Sequence, residues 1–311
     1  MFDTILTALL PITVVLILGY LAGYHQDFSK DQAGVLNKMV MLYALPLSLF
    51  SSITTSSMSE ILKEKEILLG LFIGMIVFYL VVYLITRFLF KQNSRLSALI
   101  SLTIAGPAIP FVGVPVLGEL YGSVSSIPIA VGSIYMNLFQ VPLTIILLNL
   151  GVKNTDGTQT NSFVSNIINA VKQPVVWAPV LGLLFVLIDL KFPTALIDSF
   201  TLLGKSTGGV ALFASGIILF SYKVVFNKSV LAIVLSKNIL IPLAIWGVSL
   251  LLNFPSSVLK ETVVTMSIPT ASVVIMLAIQ YEEGQQTISS ALFLSSVLSI
   301  LTMGFFIFLL S

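Results

Sequence analysis

The chain has 311 residues, of which 57% are hydrophobic and only 9% are charged, whereas a soluble domain carries about a quarter charged residues. This composition excludes a soluble globular domain and predicts a protein that crosses a membrane several times. The net charge of +2 is scattered over loops and does not indicate nucleic-acid binding, and the lack of cysteine excludes disulfides, thiolate metal sites and cysteine nucleophiles.

Apolar runs of about 20 residues, the length that crosses a bilayer as a helix, recur along the whole chain. The ten predicted transmembrane helices, numbered here as spans 1 to 10, cover residues 2–24, 33–53, 66–90, 96–121, 124–149, 174–190, 194–221, 229–252, 258–281 and 286–310. The longest polar interval follows span 5. It predicts a first five-helix repeat at 1–150, a cytoplasmic connector at 151–173 and a second five-helix repeat at 174–311.

Lysine and arginine are more frequent in the loops on one side of the predicted spans. Loops after odd-numbered spans hold eight of these residues, and loops after even-numbered spans hold four. Because cytoplasmic loops retain basic residues, this bias predicts that both termini are extracytoplasmic. Each half has an odd number of spans, so the halves would be inverted relative to each other, which lets one site face either side of the membrane.

Span 4 contains an unusual stretch, Ile104–Val116, with three prolines and two glycines in an otherwise apolar sequence. Proline lacks an N–H group and clashes with the carbonyl four residues earlier, so Pro107 and Pro110 should break the helix. In lipid, such a break persists only where protein or a water-filled cavity satisfies the freed backbone groups. Broken helices near the middle of the membrane are typical of transporter substrate sites.

A second copy of this break lies in span 9. Thr265–Thr270 matches Thr103–Ala108 at an offset of 162 residues, with threonine, a small residue and proline in the same places. Another pair, Ser48–Ser52 and Ala211–Ser215, lies 163 residues apart. Two matches in the same order at nearly the same offset indicate an internal duplication.

The matched breaks predict an anion site. Inversion brings them together near the midplane, and each starts a half-helix whose first N–H groups are unpaired and partially positive. Two converging ends of this kind suit a carboxylate. Ordinary kinks are the alternative, which we prefer for Pro46, Pro142 and Pro242, whereas a functional break is preferred for Pro107 and Pro269.

Three segments resemble motifs of the auxin efflux carrier family, whose bacterial members include malate and malonate permeases. Pro107–Leu117 resembles the family's proline-rich crossover, Gly209–Gly216 its Ala-Leu-Phe segment in the seventh span, and Pro269–Tyr281 its ninth span. The likeness covers essentially the whole chain. It implies an all-α integral membrane protein of ten transmembrane helices, arranged as a 5+5 inverted repeat with crossover helices at spans 4 and 9. The bile-acid symporters have a similar plan.

The resemblance also implies a mechanism. Spans 1, 2, 6 and 7 would form a scaffold, and spans 3–5 and 8–10 a moving transport domain that gives elevator-like alternating access. It implies small organic anions as cargo and homodimers in the plasma membrane, and it leaves a coupled proton or sodium ion open. The family commonly has asparagine after the first crossover proline, where this chain has Ala108. This departure argues against auxin and leaves a dicarboxylate such as malate or malonate as the expected cargo.

The candidate substrate-binding residues are the prolines and small residues of the two breaks and the polar side chains within spans. They are Pro107, Ala108, Pro269, Thr270, Thr103, Thr265, Ser267, Ser272, Asn137, Gln140, Lys205, Ser51 and Ser215. Hydroxyl groups that line the breaks are the better candidates for direct polar contact. Asn137 and Gln140 share a helix face and could bind substrate or join helices, and packing is the default for Ser51 and Ser215. No metal ligands or cofactor are expected.

Charged residues inside spans are costly and usually functional. Lys205 lies midway along span 7, where its charge could pair with an anionic substrate, pair with Asp198, or face water. Lys38 and Lys237 lie nearer span ends, where a lysine side chain can reach the interface. Four glutamates near span ends are expected to face water, and they are Glu119, Glu261, Glu282 and Glu283.

Three other classes of protein compete with this interpretation. An intramembrane enzyme would need a metal or aspartyl motif, and the single histidine, His25, lies at a span end. A sodium-coupled carrier of the bile-acid type would need acidic and amide side chains at the crossover, and none surrounds Pro107. A channel fits less well, because paired broken helices suggest alternating access.

Overall fold

The computed structural model describes residues 2–55, 64–149, 172–188, 192–222 and 224–310, and within these ranges the regular elements are helical apart from one isolated β-bridge. The helices follow the ten predicted spans, and a and b mark the two parts of a broken helix. They are α1 (Phe2–Tyr24), α2 (30–54), α3 (Lys65–Leu89), α4a (Ser94–Ala105), α4b (109–121), α5 (126–149), α6 (Pro174–Leu187), α7 (194–222), α8 (Lys228–Leu251), α9a (Ser256–Ser267), α9b (Val273–Gln280) and α10 (Gln285–Leu310). Of the predicted connector, only residues 172 and 173 lie within the described ranges.

Six of these helices are long and apolar enough to cross a membrane, judged by length and composition. They cover Lys30–Ser51, Lys65–Leu89, Ile127–Asn149, Thr194–Ser221, Lys228–Leu251 and Gln285–Leu310. Val14–Tyr24, Ser94–Ala105 and Pro174–Leu187 are shorter apolar helices. The predicted spans 4 and 9 do not reach the required length because each is interrupted at its break.

Four prolines inside these helices each follow a π-helical turn. Pro46 follows Val40–Ala44, Pro115 follows Ile109–Gly113, Pro142 follows Met136–Gln140, and Pro242 follows Ser236–Leu240. In a π turn the N–H group bonds five residues back, so the wider turn relieves the contact between the proline ring and the preceding carbonyl. Pro46, Pro142 and Pro242 therefore lie in helices that continue past them, as expected for kinks.

Small residues set the closest helix contacts. The second part of α7, Ser206–Tyr222, packs along α1. A Cβ atom on Gly19 would lie 2.1 Å from the Phe213 carbonyl oxygen, and one on Gly216 would lie 2.2 Å from the Leu16 carbonyl oxygen. Glycine is therefore required for this approach, which maximises van der Waals contact where no hydrophobic force joins helices.

The remaining packing falls into two groups of neighbours. Helices α6 and α7 each pack on α2, and α7 also packs on α1. On the other side, α3 and α5 pack on α4a, and α8 and α10 pack on α9a. The start of α3 also contacts α9a, so the two broken helices lie together inside the second group.

A polar cluster joins three connections on one face of the molecule. The Tyr281 hydroxyl, just after α9b, accepts hydrogen bonds from Asn149 at the end of α5 and from Gln173 before α6. Arg95, at the start of α4a, donates to the Tyr281 carbonyl and lies 3.7 Å from Glu283. We call this the loop cluster. It places the connections that follow α3, α5 and α9 on the same face.

Candidate functional site

Helices α4 and α9 both lose helical form at their matched prolines, and the two extended segments cross. Pro107 and Thr270 form an antiparallel β-bridge there. The backbone bonds across the bridge run from Ala108 N to Pro269 O (2.8 Å) and from Ala271 N to Gly106 O (2.9 Å). The Thr270 hydroxyl adds a 2.8 Å bond to the Thr103 carbonyl. Both breaks therefore occur where the sequence predicts them.

The pairing corrects one expectation, namely that the N–H groups at the breaks would be free. The amides of Ala108 and Ala271 are used across the bridge, and the Thr270 N–H lies 3.4 Å from the Ser295 hydroxyl oxygen. The physical reason is that each extended segment lies beside the other and satisfies its backbone. Within the described chain, Ser272 and Val273 at the start of α9b keep N–H groups without a hydrogen-bond partner.

A small cavity of about 40 Å³ lies beside these N–H groups, and we call it the crossover cavity. Its lining is apolar except for four side chains, which are Ser48, Asn137, Thr207 and Ser272. The hydroxyls of Thr207 and Ser272 are buried and have no hydrogen-bond partner. A buried polar group without a partner is unfavourable by about 1–3 kcal/mol, so this cavity is suited to a polar ligand or to water.

Three predicted site residues line this cavity. Ala108 comes from the first break, Ser272 from the second, and Asn137 from the π turn of α5. The structure therefore brings residues of both halves of the chain to one place. The opposite wall is built by Leu45, Ser48 and Leu49 of α2 and by Thr207 of α7.

The hydroxyls of three other predicted residues are engaged within their own helices. Thr103 donates to Leu99 O at 2.6 Å, Thr265 to Glu261 O at 2.6 Å, and Ser267 to Val264 O at 2.7 Å. Such bonds to a carbonyl three or four residues earlier are common for serine and threonine in helices. Their protons are thus directed away from the cavity, and Thr270 is used in holding the two breaks together.

Gln140 joins helices. Its amide nitrogen donates to the Met75 carbonyl at 2.7 Å and to the Ala105 carbonyl at 3.0 Å. Ala105 is the last residue of α4a, where helix carbonyls have no partner within the helix. Of the two roles considered for Gln140, these contacts support the joining of helices.

Lys237 and Glu261 correct two expectations. Lys237, expected at the interface, is fully buried, and its ammonium lies 3.3 Å from the Met266 carbonyl at the end of α9a. Glu261, expected to face water, is only 4% exposed. Both lie in helices near the second break, and the packing of α9a against its neighbours covers them.

The remaining predicted residues lie outside the crossover cavity. Ser51 and Ser215 are buried, and their hydroxyls have no hydrogen-bond partner in the described ranges. Lys205 is exposed at the turn where the two parts of α7 meet. Its ammonium is therefore separate from the buried polar groups, although Thr207 lies only two residues further on.

Sequence reasoning missed Thr207 and did not propose Ser48. Thr207 belongs to the polar run Gly204–Gly209 in the middle of an apolar span, a signal that could have identified it. Ser48 begins one of the duplicated segments, but its position on the inner face of α2 depends on the helix packing.

Comparison with known proteins identifies the family. The sequence pattern of a family described as membrane transport protein matches residues 4–307. The chain belongs to this family of membrane transport proteins. The resemblance to auxin efflux carriers is thereby confirmed at the level of the family, and so are the predictions that the chain is a membrane transporter and that it is not an enzyme.

Relatives within this transporter family span nearly the full chain. An uncharacterized transporter of Escherichia coli (strain K12), YfdV, is 35% identical over 289 residues, which cover 92% of this chain and 91% of that protein. An uncharacterized transporter of Methanothermobacter thermautotrophicus is 26% identical over 309 residues, or 94% of each chain. MJ1031 of Methanocaldococcus jannaschii, also an uncharacterized transporter, is 22% identical over 303 residues, or 95% of each.

Proposed function

We propose that this membrane transporter is a secondary carrier of a small organic anion and that it binds a carboxylate at the crossover cavity. The observation that carries the proposal is the set of donors without partners at that point. They are the N–H groups of Ser272 and Val273 and the hydroxyls of Ser272 and Thr207. The N–H groups open a helix, whose partial positive charge favours an anion.

The lining of the crossover cavity supports binding by hydrogen bonds instead of by a buried ion pair. Its polar side chains are hydroxyls and one amide, Asn137, and none of its lining residues is charged. Hydrogen bonds to a charged acceptor are roughly twice as strong as neutral ones. Several neutral donors can therefore hold a carboxylate and still release it, as transport requires.

The size of the cavity supports movement between the two groups of helices. A volume of about 40 Å³ is far below the roughly 300–1,000 Å³ of pockets that bind small molecules. A dicarboxylate needs more space, so α2 and α7 must separate from α4, α5 and α9 when it binds. This separation corresponds to the scaffold of spans 1, 2, 6 and 7 and the moving domain of spans 3–5 and 8–10, and it fits an elevator-like mechanism.

The inverted repeat and the orientation form part of the same proposal. The loop cluster supports them, because spans 3, 5 and 9 all end on one face, as ten crossings would require. The lysine and arginine bias makes that face cytoplasmic and both termini extracytoplasmic. A reporter active only in the cytoplasm, fused after Ser311, should be silent. A strong signal would overturn the orientation, and an N-terminus found on the opposite side from the C-terminus would overturn the inversion of 1–150 relative to 174–311.

The identity of the cargo rests on the resemblance to bacterial family members. Malate and malonate are therefore the first anions to test, with a proton or a sodium ion as the coupled ion. A plasma-membrane location and a homodimer rest on the same resemblance.

Uptake of labelled mono- and dicarboxylates into proteoliposomes tests the function. Thr207→Val keeps the shape of the side chain and removes the hydroxyl, so the apparent affinity should fall roughly 2- to 10-fold, in line with one lost hydrogen bond. Lys205→Met tests whether the exposed ammonium attracts the anion, and a weaker affinity is expected if it does. A parent protein that moves no anion of the panel would overturn the function, and an unchanged Thr207→Val would overturn the site.

A further inference from the structure

A second cavity, of about 330 Å³, lies between α2 and α9b. Its lining includes Asn37, Lys38, Met41 and Leu42 from α2 and Ile279 and Gln280 from α9b. We call it the vestibule. The side chain of Gln280 lies 3.4 Å from that of Gln173, which belongs to the loop cluster. The vestibule is therefore beside the loop cluster and on the same face of the protein.

Asn37 is the buried polar residue of the vestibule. It is 3% exposed, and its amide nitrogen donates to the Met276 carbonyl of α9b at 3.0 Å. Its amide oxygen is buried and has no hydrogen-bond partner. Because an unpaired buried acceptor is unfavourable, a water molecule or a ligand hydroxyl in the vestibule would stabilise it.

Lys38 supplies the charge of the vestibule. It is the charged side chain among the lining residues, and it is exposed. Within the described ranges its ammonium lies within ion-pair distance of no carboxylate. A cavity with one unpaired ammonium and neutral amides attracts anions and repels cations.

The vestibule and the crossover cavity lie along one seam. On α2, the vestibule is lined by Asn37, Lys38 and Met41, and the crossover cavity by Leu45, Ser48 and Leu49. This spacing of three or four residues keeps all six on one face of the helix. The same holds for α9b, where Ile279 and Gln280 face the vestibule and Val273 and Met276 face the crossover cavity.

One hydrogen bond spans the seam between the two cavities. Asn37 and Met276 are joined there by their hydrogen bond, and a helix rises about 1.5 Å per residue. Asn37 therefore lies about 16 Å along α2 from Ser48, which lines the crossover cavity. An anion that reaches the crossover cavity from the loop-cluster face must pass this hydrogen bond.

We propose that the vestibule is an access subsite for a small carboxylate anion. Lys38 attracts the anion, and the hydrogen bond between Asn37 and Met276 closes the way to the crossover cavity until α9b moves away from α2. The proposal rests on the proposed function, since it assigns the path to the same site. Its test does not require the transported anion to be known.

Thiol labelling measures the charge of the vestibule directly, because the chain has no cysteine of its own. A cysteine at Gly34 has open space, since an added Cβ there meets no atom within 4 Å, and Gly34 lines the vestibule. The probes are an anionic and a cationic methanethiosulfonate of similar size. We expect Gly34→Cys to react roughly tenfold faster with the anionic reagent than with the cationic one, relative to free cysteine.

Two variants make this measurement specific. Lys38→Gln in the Gly34→Cys background should bring the two rates close together. Val35→Cys, which is 68% exposed and outside the vestibule lining, is the control for reagent access and an intact fold. It lies three residues from Lys38 and so on the same side of α2, and the test of the charge is therefore the Lys38→Gln variant. Equal rates at Gly34→Cys, or a preference that survives Lys38→Gln, would overturn the subsite.

The closing hydrogen bond has its own test. Ser48→Cys lies in the crossover cavity, so an uncharged thiol reagent applied from the loop-cluster face should label it slowly. Adding Asn37→Ala or Asn37→Ser removes the bond to Met276 and should raise that rate several-fold, whereas Lys38→Gln should not. If neither Asn37 variant changes the rate while Val35→Cys labelling shows an intact fold, the bond is not the closure.

The access subsite and the proposed transport function can be overturned independently. If the anionic preference is present but malate, malonate and the rest of the panel are not transported, the vestibule stands and the proposed function is wrong. If an anion is transported but Gly34→Cys shows no preference, the function stands and the access subsite is wrong.

Discussion

The two helix breaks match in sequence but are supported by different chemistry. At the first break, the last carbonyl of α4a, that of Ala105, accepts a hydrogen bond from Gln140, which also donates to Met75. Gln140 is neutral and comes from α5. One side-chain amide therefore satisfies two carbonyls and fastens α3, α4a and α5 together.

At the second break, the carbonyl of Met266 near the end of α9a lies 3.3 Å from the ammonium of Lys237, which comes from α8. Lys237 lies 162 residues after Met75, the same offset as between the two breaks. Asn238, the next residue, exchanges hydrogen bonds with Ser295 of α10. The second break is thus supported by a buried lysine and by the pair of Asn238 and Ser295.

The two breaks show that the carbonyls at a helix end need hydrogen-bond donors, and that different side chains can supply them. The end of any helix leaves carbonyls without partners and carries partial negative charge. In a membrane those carbonyls must be satisfied by protein. A neutral glutamine amide and a lysine side-chain nitrogen both do so, but the lysine nitrogen must be desolvated to reach the carbonyl.

The largest expected effect is at the first break. Gln140→Met keeps the volume and leaves the carbonyls of Met75 and Ala105 without this donor, which should lower the free energy of unfolding by about 2–5 kcal/mol. The midpoint of SDS-induced unfolding in mixed micelles measures it. Leu143→Met, one turn further along α5, is the control and should change stability far less. A parent-like midpoint for Gln140→Met would show that the carbonyls do not depend on the amide.

Loss of the hydrogen bond between the two breaks, from the Thr270 hydroxyl to the Thr103 carbonyl, should have an intermediate effect on stability. Thr270→Val removes the hydrogen bond to the Thr103 carbonyl and should destabilise the protein by about 1 kcal/mol. Thr265→Val is the matched control, because the Thr265 hydroxyl bonds only within its own helix, to Glu261 O. Thermal melting in detergent distinguishes the two variants. Equal decreases in melting temperature would mean that the bond across the crossover stabilises the protein no more than a bond within one helix.

Removing Lys237, the donor at the second break, should change the unfolding free energy less than removing Gln140 does at the first. Lys237→Met removes the bond to Met266 but also removes a fully buried, desolvated amine, so the unfolding free energy should stay within about 1 kcal/mol of the parent or rise. Lys228→Met, at the exposed start of α8, is the control. A loss of about 3–5 kcal/mol would contradict this, since that is the effect of breaking a buried ion pair.

The smallest effect on stability is expected from the prolines themselves. In Pro107→Ala and Pro269→Ala a continuous helix becomes possible, but forming it would break the bonds across the bridge. Each variant should therefore stay broken and stay within about 1 kcal/mol of the parent, and the two should behave alike. A clear difference between their melting temperatures, or a stability gain well beyond this range in one of them, would show that the breaks are held by different forces.

Part of the candidate site was predictable. Ala108 and Ser272, which line the crossover cavity, were predicted because they lie beside Pro107 and Pro269, and a proline interrupts a helix whatever packs around it. Thr103, Thr265 and Ser267 were chosen by the same local argument, but their hydroxyls bond to their own helices. Sequence position places a hydroxyl near a break but does not give its rotamer, which decides whether the hydroxyl faces the cavity.

The chain by itself determined the helices, the two breaks and the family, because each depends on short-range properties: apolar length, the missing N–H of proline and repeated motifs. Only the tertiary structure decided which groups form hydrogen bonds with the backbone at the two breaks. The pairing of Ala108 with Pro269, the contact of Lys237 with Met266 and the hydrogen bond from Asn37 to Met276 each join segments that are far apart in the sequence. Which partner a freed backbone group finds depends on which helix packs beside it, and that follows from the packing of the whole bundle.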